Sequence, residues 1–185
     1  MKQASNIILA ITILIISLNI FDFPWELRFV DVKKNYFFVM VMVTLLPLSV
    51  LLWSLFRDVK SSKVVGVIFS VCLAVPCCIV FIFANSGYDE IKSTGIDFSF
   101  EEINRLQVND NNYVLYRTNG GATTSFGLVL RLEKGIGFGL NIVNVVYSKY
   151  KALDSTLELT DNHQIKMQIK PYNNHSKMHV VLLDI

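Results

Sequence analysis

Three long uncharged runs within the first 88 residues constrain this chain more than anything else in it: Gln3 to Phe21 (19 residues), Asn35 to Phe56 (22) and Val64 to Tyr88 (25). About 20 apolar residues are enough to cross a bilayer as a helix. Hydrocarbon offers the backbone no hydrogen-bond partner, so a crossing segment must satisfy its own N–H and C=O groups, which a helix does. The runs predict a membrane domain over residues 1–84 with three transmembrane helices, at 4–21, 36–56 and 64–85. An integral membrane protein is expected, with the lipid bilayer as its first partner. Lys2 ahead of Ile7 to Ile16 also suits a signal peptide, but the following Ser17-Leu18-Asn19-Ile20-Phe21-Asp22 lacks the paired small residues that a signal peptidase reads, and an uncleaved helix is expected.

Residues 85–185 mix polar and apolar side chains at short range and read as a separate soluble domain of ordinary size. Residues 1–84 carry seven Lys/Arg and four Asp/Glu, a net +3, whereas residues 85–185 carry ten and eleven, a net −1. A near-neutral domain has no electrostatic footprint for nucleic acid. All three cysteines, Cys72, Cys77 and Cys78, fall in the third run. Adjacent positions on a helix point to different faces, so these thiols are expected to pack as small apolar groups, with no disulfide and no metal. The soluble domain must then be held by its core alone, which is feasible at this size.

Orientation follows from the short loops. Arg57-Asp58-Val59-Lys60-Ser61-Ser62-Lys63 carries three basic residues and the amino end adds Lys2, so both are expected on the cytoplasmic side. Three crossings then place residues 85–185 outside, periplasmic or extracellular, on a cytoplasmic (inner) membrane. The first loop, Phe21 to Tyr36, packs five aromatic residues among charges. Rings with a greasy body and a wet edge settle at headgroup level, so the loop reads as an interfacial hairpin, or as a contact surface for a second membrane protein through Trp25 and Phe29.

Pro47 and Pro76 each remove a helical hydrogen bond within a span, as in channels, transporters and plain anchors alike. No Asp, Glu, Lys, Arg or His lies inside the spans, which argues against an ion or proton pathway. Thr44, Ser49, Ser54, Gly66 and Ser70 are the small or weakly polar residues through which helices pack on one another or on a partner.

In the soluble part, Ser99 with Glu102 three residues on fits a capping box, and Phe100, Ile103, Leu106 and Gln107 follow at helical spacing. The pattern then predicts strands at Tyr113 to Thr118, Ser125 to Leu132, Gly139 to Tyr147, Thr156 to Thr160, Gln164 to Lys170 and Met178 to Leu183, with a hairpin turn at Asp161-Asn162. The predicted fold class is a three-helix membrane domain plus a C-terminal α+β domain, mostly an antiparallel β meander with one helix over a face. Residues 135–148 carry no charge. They predict a central strand buried on both faces, or else an apolar edge or loop that meets the membrane or a partner.

No catalytic, cofactor or metal motif stands out. Gly135-Ile136-Gly137-Phe138-Gly139 precedes a strand-like run, and phosphate loops need a helix there. His175 and His179 have the spacing of a zinc pair on a helix but fall in or near a strand, where such residues lie roughly 13 Å apart. The recognition residues predicted are therefore Gly120, Gly121, Thr123, Thr124 and Phe126 in a polar loop between strands, Phe138 in the glycine-rich stretch, and Trp25 and Phe29 in the first loop. The sequence leads to a non-enzymatic protein-binding module held at a membrane, such as a bacterial toxin-immunity protein or an accessory subunit of an envelope complex. A ligand sensor signalling through the helices is the alternative, with an envelope enzyme behind it, and a homo-oligomer is open.

Overall fold

The computed structural model describes residues 2–20, 25–119, 125–162, 164–171 and 178–184. The chain divides into a helical unit and a sheet unit, and the division does not follow chain order: residues 22–28 belong with residues 96–185.

The helical unit contains α1 (Lys2–Ile20), α2 (Val32–Leu55) and α3 (Lys60–Thr94), all long and apolar enough to cross a membrane. The three uncharged runs thus form the three helices expected. Asp31 caps α2, its side chain accepting from the Lys33 N–H. α2 and α3 form an antiparallel hairpin in which small residues set the approach. Ser49, Ser54 and Ser70 are buried, Ser70 Oγ donates to the Pro47 carbonyl across the pair (2.7 Å), and a Cβ on Gly66 would lie 2.3 Å from that of Ser54. A Cβ on Gly87 would meet the Tyr36 ring at 2.5 Å. Thr44, by contrast, is exposed and donates to the Met40 carbonyl of its own helix. α1 packs on α2, with Ser5 and Thr12 buried one above the other on its face.

α3 does not stop near Asn85. It continues through Asn85-Ser86-Gly87-Tyr88-Asp89-Glu90-Ile91-Lys92-Ser93-Thr94 and ends where Gly95 takes a left-handed conformation (φ +77°), its N–H bonding the Ile91 carbonyl at 2.9 Å. Its 35 residues make a rod about 52 Å long at 1.5 Å per residue. That exceeds the roughly 30 Å of bilayer hydrocarbon, and the last turns, from Asn85 on, are polar.

The sheet unit holds eight strands: β1 (Glu26–Phe29), β2 (Phe100–Val108), β3 (Asn111–Thr118), β4 (Gly127–Gly137), β5 (Leu140–Tyr150), β6 (Ala152–Leu159), β7 (Gln164–Pro171) and β8 (His179–Asp184). They form a five-stranded sheet in the order β1-β5-β4-β3-β2 and a three-stranded sheet in the order β6-β7-β8. All six predicted strands are present, but the meander breaks after β5 into two layers. Tyr113, Leu115, Leu128 and Leu130 from the first sheet meet Leu157, Ile165, Met167 and Ile169 from the second in one apolar core. Each such side chain contributes roughly 1.5–3 kcal/mol by leaving water.

Among the described residues the sheet unit has no helix, which corrects the helix expected at Ser99 to Gln107. That segment is β2. A bulge between Glu102 and Asn104 inserts Ile103 into the ladder with β3, so Ile103 and Leu106, three apart, both pack on the core, whereas Phe100 lies on the other face against Tyr116. Asp97 Oδ1 accepts from the N–H groups of Ser99 and Phe100, so the supposed capping box is a turn into a strand. The first loop is also more than an interfacial hairpin, because it supplies β1, hydrogen-bonded beside β5.

The uncharged stretch 135–148 is not a strand buried on both faces. β5 lies inside the sheet between β1 and β4, yet Val143 is buried while Val145 is exposed. Lys134 to Gly139 are all exposed at the end of the β4–β5 hairpin.

Candidate functional site

The face of the five-stranded sheet opposite the core carries an ionisable cluster. Alternation sends Val114 and Tyr116 of β3, and Val129, Arg131 and Glu133 of β4, to this face; Val114 lies across from Arg131 and Tyr116 across from Val129. Arg131 and Glu133 are only 7% and 8% exposed. The Tyr116 hydroxyl donates to Glu133 Oε1 (2.6 Å) and Asn141 Nδ2 donates to Oε2 (3.3 Å). The Arg131 guanidinium lies 4.1 Å from the Phe100 ring centre and 5.6 Å from that of Tyr116, a cation–π arrangement. Nearby on β2, Arg105 grips Glu102 through both carboxylate oxygens (2.8 and 2.7 Å).

These environments decide the chemistry. Burial, then the adjacent Glu133 charge, push the Tyr116 phenol well above its ordinary range, so it stays protonated and donates. The bond to Glu102 raises Arg105 further. A phenol held neutral is no base or nucleophile, the carboxylate it faces is engaged at both oxygens, and the guanidinium is covered by rings. The cluster links side chains of β2, β3, β4 and β5 on this face. Sequence reasoning passed over it; the signal was Arg131 and Glu133 two apart, interleaved with Leu128, Leu130 and Leu132.

Among the described residues, the predicted recognition residues Phe126 and Phe138 do not come together. Gly120, Gly121, Thr123 and Thr124 lie outside the described residues, as does His175. Phe126, beside that loop, is half-buried with the Arg117 guanidinium 5.6 Å from its ring. Gly127 pairs with Thr118 and Tyr150 at one end of the sheet, whereas Gly137 pairs with Leu140 at the other. Ten residues of strand, about 33 Å, therefore separate the Phe126 end from the Phe138 end. Trp25 is exposed just before β1. Phe29 is occupied within the helical unit: its ring centre is 5.8 Å from that of Phe38, and the Asn35 side chain bonds both its N–H (2.8 Å) and its carbonyl (2.9 Å).

Phe138 is fully exposed, at 102%, and sits at φ +54° between Gly137 (φ +90°) and Gly139 (φ +72°). Left-handed geometry costs a non-glycine residue roughly 1–2 kcal/mol. Ile136 beside it is exposed as well.

A second apolar surface lies on β8, the edge of the three-stranded sheet. Its inner positions, Val181 and Leu183, pack on the core. Its outer positions, Val180 and Leu182, are 51% and 56% exposed, with Met178 beside them. Lys166 and Gln168 of β7 are their cross-strand neighbours, and Lys166 pairs with Glu158 of β6 (3.4 Å). Thus the solvent face runs from charged pairs on β6 and β7 to bare aliphatic side chains at the edge. The run Val180-Val181-Leu182-Leu183 carried the signal, since a strand apolar on both faces at an edge leaves one face in water.

Among the described residues no group of three His, Cys, Asp or Glu side chains is placed to hold a metal ion. Comparison of the chain with protein-family models, with curated proteins and with solved structures found no match.

Proposed function

We propose that this chain is a membrane-anchored, non-enzymatic protein-binding module that displays its two sheets on the outer side of a cytoplasmic membrane. On this reading an extended segment of another protein pairs with β8. The observation that carries it is the β8 edge. Sheet edges in soluble proteins are blunted by charge, proline or a cover, because bare backbone N–H and C=O groups recruit strands. β8 instead presents Met178, Val180 and Leu182 to water, so an added strand would gain both ladder bonds and apolar contacts.

The anchoring and orientation have their own support. Lys2 pairs with Asp58, which gathers Lys2, Arg57, Lys60 and Lys63 at one end of the helices, the pattern of a cytoplasmic end. Two crossings, α2 and α3, would separate the α1–α2 loop from the segment after α3 and so put both on the same side of a bilayer. Sharing of one sheet by β1 and β2–β5 meets that condition. A toxin to be neutralised and a subunit of an envelope assembly are the two kinds of partner that such a display suits.

The test is site-specific photocrosslinking in cells, with benzoylphenylalanine at Val180 or Leu182 and, as controls, at Glu158 or Lys166. The reading expects one heterologous adduct from 180 and 182 alone, lost on Met178→Lys. Adducts at twice the mass of the chain would mean self-pairing instead, and equal labelling from all four positions would refute a specific edge site.

A further inference from the structure

We infer that the β4–β5 hairpin tip, Ile136 to Phe138 with Lys134 on its flank, seats in the headgroup region of the bilayer that takes up the helices. The inference rests on the membrane-spanning reading above and adds a second lipid contact, made by the sheet unit. Beyond Glu133, the last β4 residue paired with β3, the hairpin runs on to Gly137 paired with Leu140. Its tip has lost the support of β3, and every residue from Lys134 to Gly139 is exposed.

Three observations favour lipid as the occupant. The tip's side chains are an isoleucine and a phenylalanine with a lysine behind them, the amphipathic chemistry that settles at an interface, ring and alkyl group down and ammonium among the phosphates. Phe138 keeps a left-handed conformation and complete exposure, so no contact inside the protein offsets either cost. Finally, the hairpin's second strand is hydrogen-bonded to β1, which residues 21–25 join to α1 and residues 30–31 join to α2. At no more than about 3.6 Å per residue, β1 stays within roughly 22 Å of the chain ends of two helices apolar enough to span. The chain ends of those helices, and any bilayer that holds them, are therefore within that reach of β1. A protein socket for Phe138 would need none of this tethering.

The experiment uses the full chain with Cys72, Cys77 and Cys78 replaced by alanine, reconstituted in phosphatidylcholine–phosphatidylglycerol vesicles. A single cysteine is placed at Phe138 or, as control, at Glu158 on the solvent face of β6, and labelled with an environment-sensitive fluorophore. The expected result is blue-shifted emission at 138 and at least about threefold stronger quenching by a shallow spin-labelled lipid than at 158. Should the cysteine-free background fail to fold, Phe138→Trp in the otherwise unchanged protein, read as brominated-lipid quenching in excess of that of the parent chain, asks the same question. A chain that resists alkaline carbonate extraction while position 138 behaves like 158 overturns the inference and leaves the anchoring reading standing. Release of the chain by carbonate overturns the anchoring reading, and the inference with it.

Discussion

Gly66→Ala offers the sharpest check on the helical unit. The added methyl carbon would sit 2.3 Å from Ser54 Cβ, against about 3.5–4.0 Å for ordinary carbon contact. Relief by sliding one side chain is not available, because the obstacle is a Cβ fixed to backbone. Ser54 itself is fully buried, with its hydroxyl donating to the Leu51 carbonyl at 2.7 Å. The α2–α3 pair must therefore part by more than 1 Å at this level or accept overlap, and overpacking of this kind costs about 1–3 kcal/mol. The full chain, unfolded in mixed micelles of increasing sodium dodecyl sulfate, should lose that much stability; Trp53, next to Ser54 in sequence, supplies the fluorescence signal. Exchanging the residues, Ser54→Gly with Gly66→Ala, returns the space, so the double variant should recover more than half of the loss despite the second glycine. If Gly66→Ala stays within about 0.5 kcal/mol of the parent, or if the two changes simply add, the packing argument is wrong.

Tyr116→Phe removes a 2.6 Å bond to a carboxylate that is 8% exposed. Hydrogen bonds to charged groups are worth about 1.5–3 kcal/mol, so globally exchanging β3 and β4 amides should exchange about 30-fold faster, which hydrogen-exchange mass spectrometry reads directly. The raised Tyr116 pKa has a definite sign: its stabilisation is complete below the ordinary value of 10.0 and declines above it, as the unfolded phenol ionises and the folded one does not. Parent and Tyr116→Phe stabilities should converge as pH rises beyond that point. In the helical unit, Lys2 holds the Asp58 carboxyl below its usual range, first through its hydrogen bond and then through charge. Any gain from the pair is present above pH 3.8 and is lost as pH falls through the depressed value. Carbon-detected NMR should find the Asp58 midpoint low, and Lys2→Ala should move it up; an unmoved midpoint would rule out the pairing.

Local chemistry made much of this protein legible before any coordinates. A helix spanning hydrocarbon closes its hydrogen bonds within a few residues, so 19 to 25 uncharged residues in a row sufficed to place α1, α2 and the apolar part of α3. Short runs of strand-forming residues between turn signals placed β3 to β8, most clearly β7, where strict alternation lets the pleat sort side chains between core and water. What stayed hidden depends on residues distant in sequence. β1 is four residues long and shows no pattern of its own; it is a strand because β5, more than a hundred positions later, offers it a ladder. The bulge in β2 imitated a helix because one inserted residue shifts the phase of the pattern while leaving its composition alone. Division of the strands into two layers, exposure of Phe138 and burial of Arg131 beside Glu133 are likewise consequences of which segments meet, and only packing in three dimensions decides that.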